Sequence, residues 1–153
     1  MESPELSARV VVDAPPEEVR DWFTSLEKEP ERYEFGTHEG FEFVEGSFGA
    51  LGARFRTREQ FLFLKRELLF EITGIHESQF TFRLIRPISM GIWGRFQIDE
   101  WAKGETRLSL EIGSATRTGR LALRFYPVAV AIQRQIDGEV DHIKRSIEQT
   151  PSS

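Results

Sequence analysis

The sequence predicts an α+β fold in which a curved antiparallel sheet of about seven strands grips one long C-terminal helix, with two short helices after the first strand. Two observations carry this. From Gly119 to Gln149, Phe125, Val128, Ala129, Ile132, Ile136, Val140, Ile143 and Ile147 recur at helical steps of three and four. Arg134, Asp137, Asp141, Lys144, Arg145 and Glu148 fall mostly on the opposite face. Between Phe41 and Ile112 the apolar period is two instead, the spacing of half-buried strands. One long helix after many strands needs a sheet to bury its stripe, and a sheet that wraps a helix must curve. A single domain at 1–149 with a loose tail at 150–153 accommodates this order.

Taken in order, Leu6 to Val12 alternates and is rich in valine, a first strand. Asp13-Ala14-Pro15-Pro16-Glu17-Glu18 starts a helix, with Asp13 or Ala14 before the prolines and acids in the first turn. Val19, Trp22, Phe23 and Leu26 form its apolar stripe. Pro30 interrupts it, Glu31 to Phe35 is a second helical turn, and Gly36 and Gly40 punctuate a loop. Phe41 to Val44 is a strand, followed by the glycine-rich turn Gly46 to Gly52. The clearest strand follows: Arg54, Arg56, Arg58 and Gln60 face one way, and Phe55, Thr57, Glu59, Phe61 and Phe63 the other. Lys65-Arg66 reads as the hairpin connection. Further strands cover Leu68 to Gly74, Phe80 to Leu84, Ile92 to Trp101 and, after the turn Lys103-Gly104-Glu105, Leu108 to Ile112. In the Ile92 strand the phase with Ile92, Phe96 and Ile98 inward is preferred, which puts Arg95 outside. Pro127 forces either a short helix from Gly119 to Tyr126 ahead of the main one, or a kink.

Composition excludes several classes. There is no cysteine and there are only three histidines, so disulfides, thiol chemistry and a His-rich metal centre are not expected. The absence of cysteine suits a cytoplasmic protein. Met1-Glu2-Ser3-Pro4-Glu5 is acidic with no apolar leader, and no run reaches the roughly 18 apolar residues of a membrane span. Residues 1–50 hold 13 acidic and 4 basic side chains, and the remainder 12 and 16. Such asymmetry reads as solvated faces of one domain. The chain is acidic overall, and Arg54, Arg56, Arg58, Lys65 and Arg66 alternate along a strand, so no nucleic-acid footprint is expected. The Gly46 to Gly52 turn lacks a Gly-Lys-Ser/Thr ending and joins two strands, which argues against a phosphate loop.

Three short motifs carry a family likeness. They are Val10-Val11-Val12-Asp13-Ala14-Pro15-Pro16-Glu17-Glu18-Val19-Arg20-Asp21-Trp22-Phe23, the glycine turn Gly46 to Gly52 before Arg54-Phe55, and Gly104-Glu105-Thr106-Arg107-Leu108. With the element order, the chain resembles the START-like, or helix-grip, superfamily (SRPBCC), the polyketide cyclase/dehydrase and lipid-transport group. That resemblance implies a cavity between sheet and terminal helix. Relatives hold lipids, hormones, flavonoids or polyketides there, and some catalyse cyclisation or dehydration.

The candidate ligand-binding residues follow from the inward face. Phe55, Phe61, Phe70, Phe82 and Phe96, with Trp22 and, on the helix, Ala129 and Ile132, either line an apolar pocket or fill an aromatic core. The resemblance favours the pocket. Glu59 is the sharpest single residue, because alternation puts it among Phe55, Phe61 and Phe63. There desolvation raises a carboxyl pKa and suits it to acid–base work or to anchoring a ligand. A bulge that turns it outward, or a pair with an inward Arg, is the alternative, and an anchoring or structural role is favoured over catalysis. Arg117, Arg120 and Arg124 can guide an anionic headgroup or simply be solvated. Glu139 and His142, three apart on the helix, can meet, but without a second ligand pair they are weak evidence for a metal. The leading reading is binding of an apolar or amphipathic small molecule without cofactor, metal, nucleic acid or membrane insertion. A cyclase- or dehydratase-type enzyme using Glu59 and a protein-interaction module are the alternatives.

Overall fold

Seven strands form one sheet in the order β1-β7-β6-β5-β4-β3-β2, every neighbouring pair antiparallel. They are β1 (Leu6–Val12), β2 (His38–Glu45), β3 (Arg54–Phe61), β4 (Leu64–His76), β5 (Gln79–Arg86), β6 (Ile92–Ala102) and β7 (Glu105–Ser114). The helices are α1 (Pro16–Ser25), α2 (Arg117–Arg124) and α3 (Tyr126–Gln149), with a single 3-10 turn at Pro30–Tyr33. This computed structural model describes residues 3–36, 38–61, 64–76, 78–87 and 89–149, less the side chains of Phe61 and Leu64. The expected loose tail at 150–153 and the orientation of Phe63 lie outside the described residues.

Six strands run as consecutive hairpins, and β1 closes the far edge against β7, from Leu6 opposite Ile112 to Val12 opposite Thr106. The sheet curls, with register shifts in the β2–β3, β4–β5 and β6–β7 pairs that add local bend. Its concave face carries Phe55, Ile72, Phe82, Phe96, Ile98, Leu108 and Leu110, all buried, as period two predicts. β6 takes the expected phase. Its inward set includes Gly94, over which the Phe82 ring lies. Arg95 faces outward but is not solvated: it is 7% exposed, and its Nε donates to Glu111 Oε1 at 2.9 Å.

α3 supplies the core from the other side. Ile136, Val140, Ile143 and Ile147 are buried in the same cluster as Leu108, Leu110, Phe23 and Val19. β1 is an edge strand, so its outward carbonyls need partners. α3 provides them: Gln133 Nε2 donates to Ser7 O at 2.8 Å and Lys144 Nζ to Val11 O at 2.8 Å. Trp22 Nε1 donates to Ser146 Oγ at 2.9 Å, and the Asp13 backbone N–H to Glu148 Oε2 at 2.8 Å. Among the described residues no helix is long and apolar enough to cross a membrane.

Four local expectations change. Lys65 and Arg66 are not the hairpin connection but lie in β4, paired with Gln60 and Glu59. The α1 N-cap is Pro15, with no side-chain cap, since the Asp13 backbone is committed to Glu148. The second short helix is the turn Pro30–Tyr33, and Phe35 instead bridges to His38. The helices divide at Phe125, whose ψ of 123° is extended, so Pro127 falls in the first turn of α3, where its missing N–H costs nothing. Phe125 therefore leaves the apolar stripe and is 62% exposed.

Gly119 sits where α2 crosses the end of β7. A Cβ there would collide with the Met90 carbonyl oxygen and with Ser114 Oγ. Gly119→Ala is expected to lower stability by about 1–3 kcal/mol, the cost of overpacking. Urea unfolding checks it, and an unchanged midpoint would show that α2 docks more loosely than this contact requires.

Candidate functional site

The stripe of α3 changes character along its length. Ile143 is fully buried, whereas Val128 and Ile132 are half-buried and face open space. That space is a cavity of about 380 Å³ between α3 and the concave face. Its walls are Phe41, Phe48, Phe55, Phe70, Phe82 and Phe96 with Leu110, Ile112, Ile132 and Ile136, and Met90, Ala122 and Leu123 border it from the α2 side. The aromatic wall is self-supporting. Phe55 stacks on Phe70 at 5.2 Å, and Phe82 meets Phe70 edge-on at 5.5 Å.

Of the residues singled out in the sequence, Phe55, Glu59, Phe70, Phe82, Phe96 and Ile132 come together on this cavity. Trp22 and Ala129 are not among its lining residues. Trp22 is 3% exposed and is used up in packing against Phe23 and Tyr33 and in its bond to Ser146. The side chain of Phe61 lies outside the described residues. Arg124 is paired with Glu5 at 2.9 Å, and Arg120 donates to the Ser114 carbonyl, so two of the three arginines near α2 are engaged.

One end of the cavity is polar. Thr57 Oγ1 donates to Glu59 Oε2 at 2.6 Å, and Gln135 lines the same cavity. Tyr33 O–H donates to Glu139 Oε1 at 3.0 Å, and His38 Nε2 stands 3.7 Å from the same oxygen. His38 is 1% exposed, tilted against Tyr33 at 4.6 Å and stacked on Phe35 at 5.4 Å. His142 turns away from Glu139, stacking on Phe35 at 4.5 Å, with Nε2 2.6 Å from the Arg32 carbonyl. The helical pair that the spacing allowed to meet thus serves separate partners.

Desolvation governs the chemistry of this end. Burial raises the pKa of Glu59, opposed by its bond from Thr57 and by the nearby Gln135 amide. Burial raises Glu139 well above the carboxylate range, the charge on Glu59 pushes the same way, and the Tyr33 bond opposes. Two acids facing one low-dielectric space cannot both ionise freely, so the charge of one opposes ionisation of the other. Burial, then Glu139, raises Tyr33. Burial, reinforced by His142, lowers His38 to about 4 and keeps it neutral.

Tyr33, His38, Phe48, Gln135 and Glu139 were absent from the sequence-derived site. Glu139 had a usable signal: Ile132, Gln135, Glu139 and Ile143 follow one another at helical steps, so two polar residues interrupt the buried stripe. Phe48 lies in a glycine turn and His38 ahead of any recognisable alternation. Only the tertiary fold brings them in.

These shifts have opposite pH signatures. An unfolded chain protonates His38 near 6.5, the folded one only near 4, so this residue makes stability fall as pH drops across that window. The acid pair does the reverse. Its contribution is full below the ordinary carboxylate value of 4.5 and is lost as pH rises through the raised folded values. Glu139→Gln, neutral at every pH, is therefore expected to be at least as stable as wild type at about pH 8 and to lose its advantage in acid. His38→Gln should flatten the acid-side slope. Urea unfolding over a pH series measures both, and a Glu139→Gln protein much weaker than wild type at high pH would show that the site stabilises the charged acid.

No protein-family model and no curated protein sequence matches the chain. Solved structures do. A protein of Thermus thermophilus aligns at 20% identity over 97% of this chain and 100% of its own, with a TM-score of 0.71. The Zhui aromatase/cyclase of Streptomyces sp. R1128 aligns at 12% identity over 94% and 93%, TM-score 0.72. Norcoclaurine synthase of Thalictrum flavum aligns at 11% identity over 95% and 94%, TM-score 0.69. Identities this low speak to architecture alone, and with the curled sheet and its terminal helix they show that the chain has the START-like helix-grip fold.

Proposed function

We propose that this protein binds an apolar or amphipathic small molecule, lipid- or polyketide-like, in the cavity between sheet and α3. The observation that carries the reading is a cavity of about 380 Å³ whose walls are almost wholly apolar and whose polar groups converge at one end. That volume lies in the range of small-molecule sites, about 300–1,000 Å³. The ligand's body packs against Phe55, Phe70, Phe82, Phe96 and Ile132, and its polar end meets Glu59. Affinity comes from burying apolar surface, roughly 25 cal/mol per Å² before the costs of association. The fold shared with an aromatase/cyclase and with norcoclaurine synthase supports a pocket in this place.

A second reading makes the protein an enzyme of cyclase or dehydratase type. The observation favouring it is the pair Glu59 and Glu139, two acids whose ionisation burial opposes and which line one cavity. A protonated acid can donate to a carbonyl oxygen of a polyketide-like substrate while its partner accepts a proton from carbon, general acid–base work at one site.

An apolar fluorescent probe should bind the folded protein and be displaced by long-chain or polycyclic compounds, and native mass spectrometry of protein from its own host should show a co-purifying small molecule. Ile132→Trp, which fills the space facing α3, should abolish probe binding while the circular dichroism spectrum is retained. Failure of every apolar compound to bind would end the binding reading.

Glu59→Gln separates the two readings. As an anchor, its loss weakens ligand binding and alters no chemistry, and this is the outcome expected. As a catalytic acid or base, the same change leaves affinity nearly intact and cuts turnover by about 10²–10⁴. Calorimetry with a bound compound and product assays on polyketide-like substrates distinguish them.

A further inference from the structure

The polar end of the cavity is unbalanced. Two of its side-chain donors are already engaged by its own acids: Thr57 by Glu59 and Tyr33 by Glu139. The acids accept those bonds and retain further lone pairs, since each carboxylate offers about four acceptor positions. Among the described residues no protein cation is buried between them. The charged and titratable groups around the pair are Tyr33 from the 3-10 turn, His38 from β2, Arg66 from β4, and His142 beside Glu139 on α3. Arg66 is exposed, at the border of the cavity, and His38 and His142 are turned into the Phe35 stack. A second observation points the same way. His38 lines the cavity, is 1% exposed, and its Nδ1 has no hydrogen-bond partner among the described residues. A buried polar atom of this kind is normally satisfied, and a polar group of a ligand at this end of the cavity is one partner that can do so.

From this geometry we infer that the cavity selects ligands with a basic nitrogen, the ammonium seated between Glu59 and Glu139 and an aromatic or aliphatic body lying along the phenylalanine wall. The inference rests on the binding reading above and specifies its ligand class. An ammonium brings the positive charge that the acid pair lacks and several N–H donors where open acceptors remain. A neutral alcohol brings one donor and no charge. A carboxylate ligand adds a third acid to a low-dielectric end that already holds two, and is disfavoured. Burial disfavours the charged forms of both acids and a bound cation favours them, so amine binding is accompanied by proton release and tightens as pH rises from acid.

The test uses matched probes that differ only in the head group: naphthylethylamine, naphthylethanol and naphthylpropionate, titrated calorimetrically into the intact protein. The amine should bind about tenfold or more tightly than the alcohol, the usual worth of a charge-assisted hydrogen bond, and the acid should bind most weakly. Glu139→Gln and Glu59→Gln should each erase most of the amine's advantage, weakening the amine by far more than the alcohol. Titration in buffers of different ionisation heat should show proton release with the amine only. If a variant fails to fold, the other still reports, as does proton release from wild type. An alcohol that binds as tightly as the amine, or an amine advantage that survives both substitutions, overturns the inference and leaves the binding reading intact. Failure of all three probes overturns both.

Discussion

Everything at the candidate site depends on how α3 is held. The helix does not settle into the middle of the sheet as its apolar stripe alone would favour. Its side chains take the outward carbonyls of edge strand β1, Gln133 at Ser7 and Lys144 at Val11, while Ser146 and Glu148 are tied to Trp22 and the Asp13 backbone. These bonds satisfy groups that would otherwise be left on an open edge. They also tie α3 to that edge. Where strands and α1 rise to meet it, at Val140, Ile143 and Ile147, the contact is dry packing. Where the sheet curls away, near Val128 and Ile132, the same stripe faces empty volume.

Interiors close-pack when they can, so a persistent cavity needs rigid walls. The phenylalanines provide them by stacking on one another rather than on α3, through Phe55 with Phe70, Phe70 with Phe82, and Phe82 with Phe96. Phe48 braces the cluster from the glycine turn, edge-on to Phe23 at 5.5 Å and 1% exposed. Gly46, at φ 76°, allows that entry, because a side chain there would press on Ala53.

Stability does not account for the polar end. Two acids, a tyrosine and a neutral histidine are withdrawn from water in a region that could be filled with leucine. Burial of such groups is unfavourable even when they are hydrogen-bonded, and perturbed titration of this kind concentrates at functional sites. The Arg95–Glu111 pair on the outer face makes a useful contrast. There opposite charges meet at 2.9 Å and Trp93 covers the guanidinium at 5.2 Å, so the buried charges neutralise each other within the fold. Glu59 and Glu139 have no such mutual solution.

Local pattern was enough for the architecture. Period two in 54–61 and 92–98, helical steps from Val128 to Ile147, and Pro16 ahead of Glu17 and Glu18 each act within one element, and neighbours along the chain determine them. The same logic correctly turned Phe55, Thr57 and Glu59 to the concave side, and Ile92 and Phe96 with them. It failed where a residue's role is decided by something distant. Phe125 has helical spacing but falls at the break between two helices. Lys65 and Arg66 look like a turn, yet pair across a tighter hairpin with Gln60 and Glu59. Tyr33, His38 and Glu139 come from a 3-10 turn, an edge strand and the terminal helix, more than a hundred residues apart at the extremes, and meet only because the sheet curls. Periodicity reports which face a side chain takes. What stands opposite that face, and how much water remains between, is set by tertiary packing.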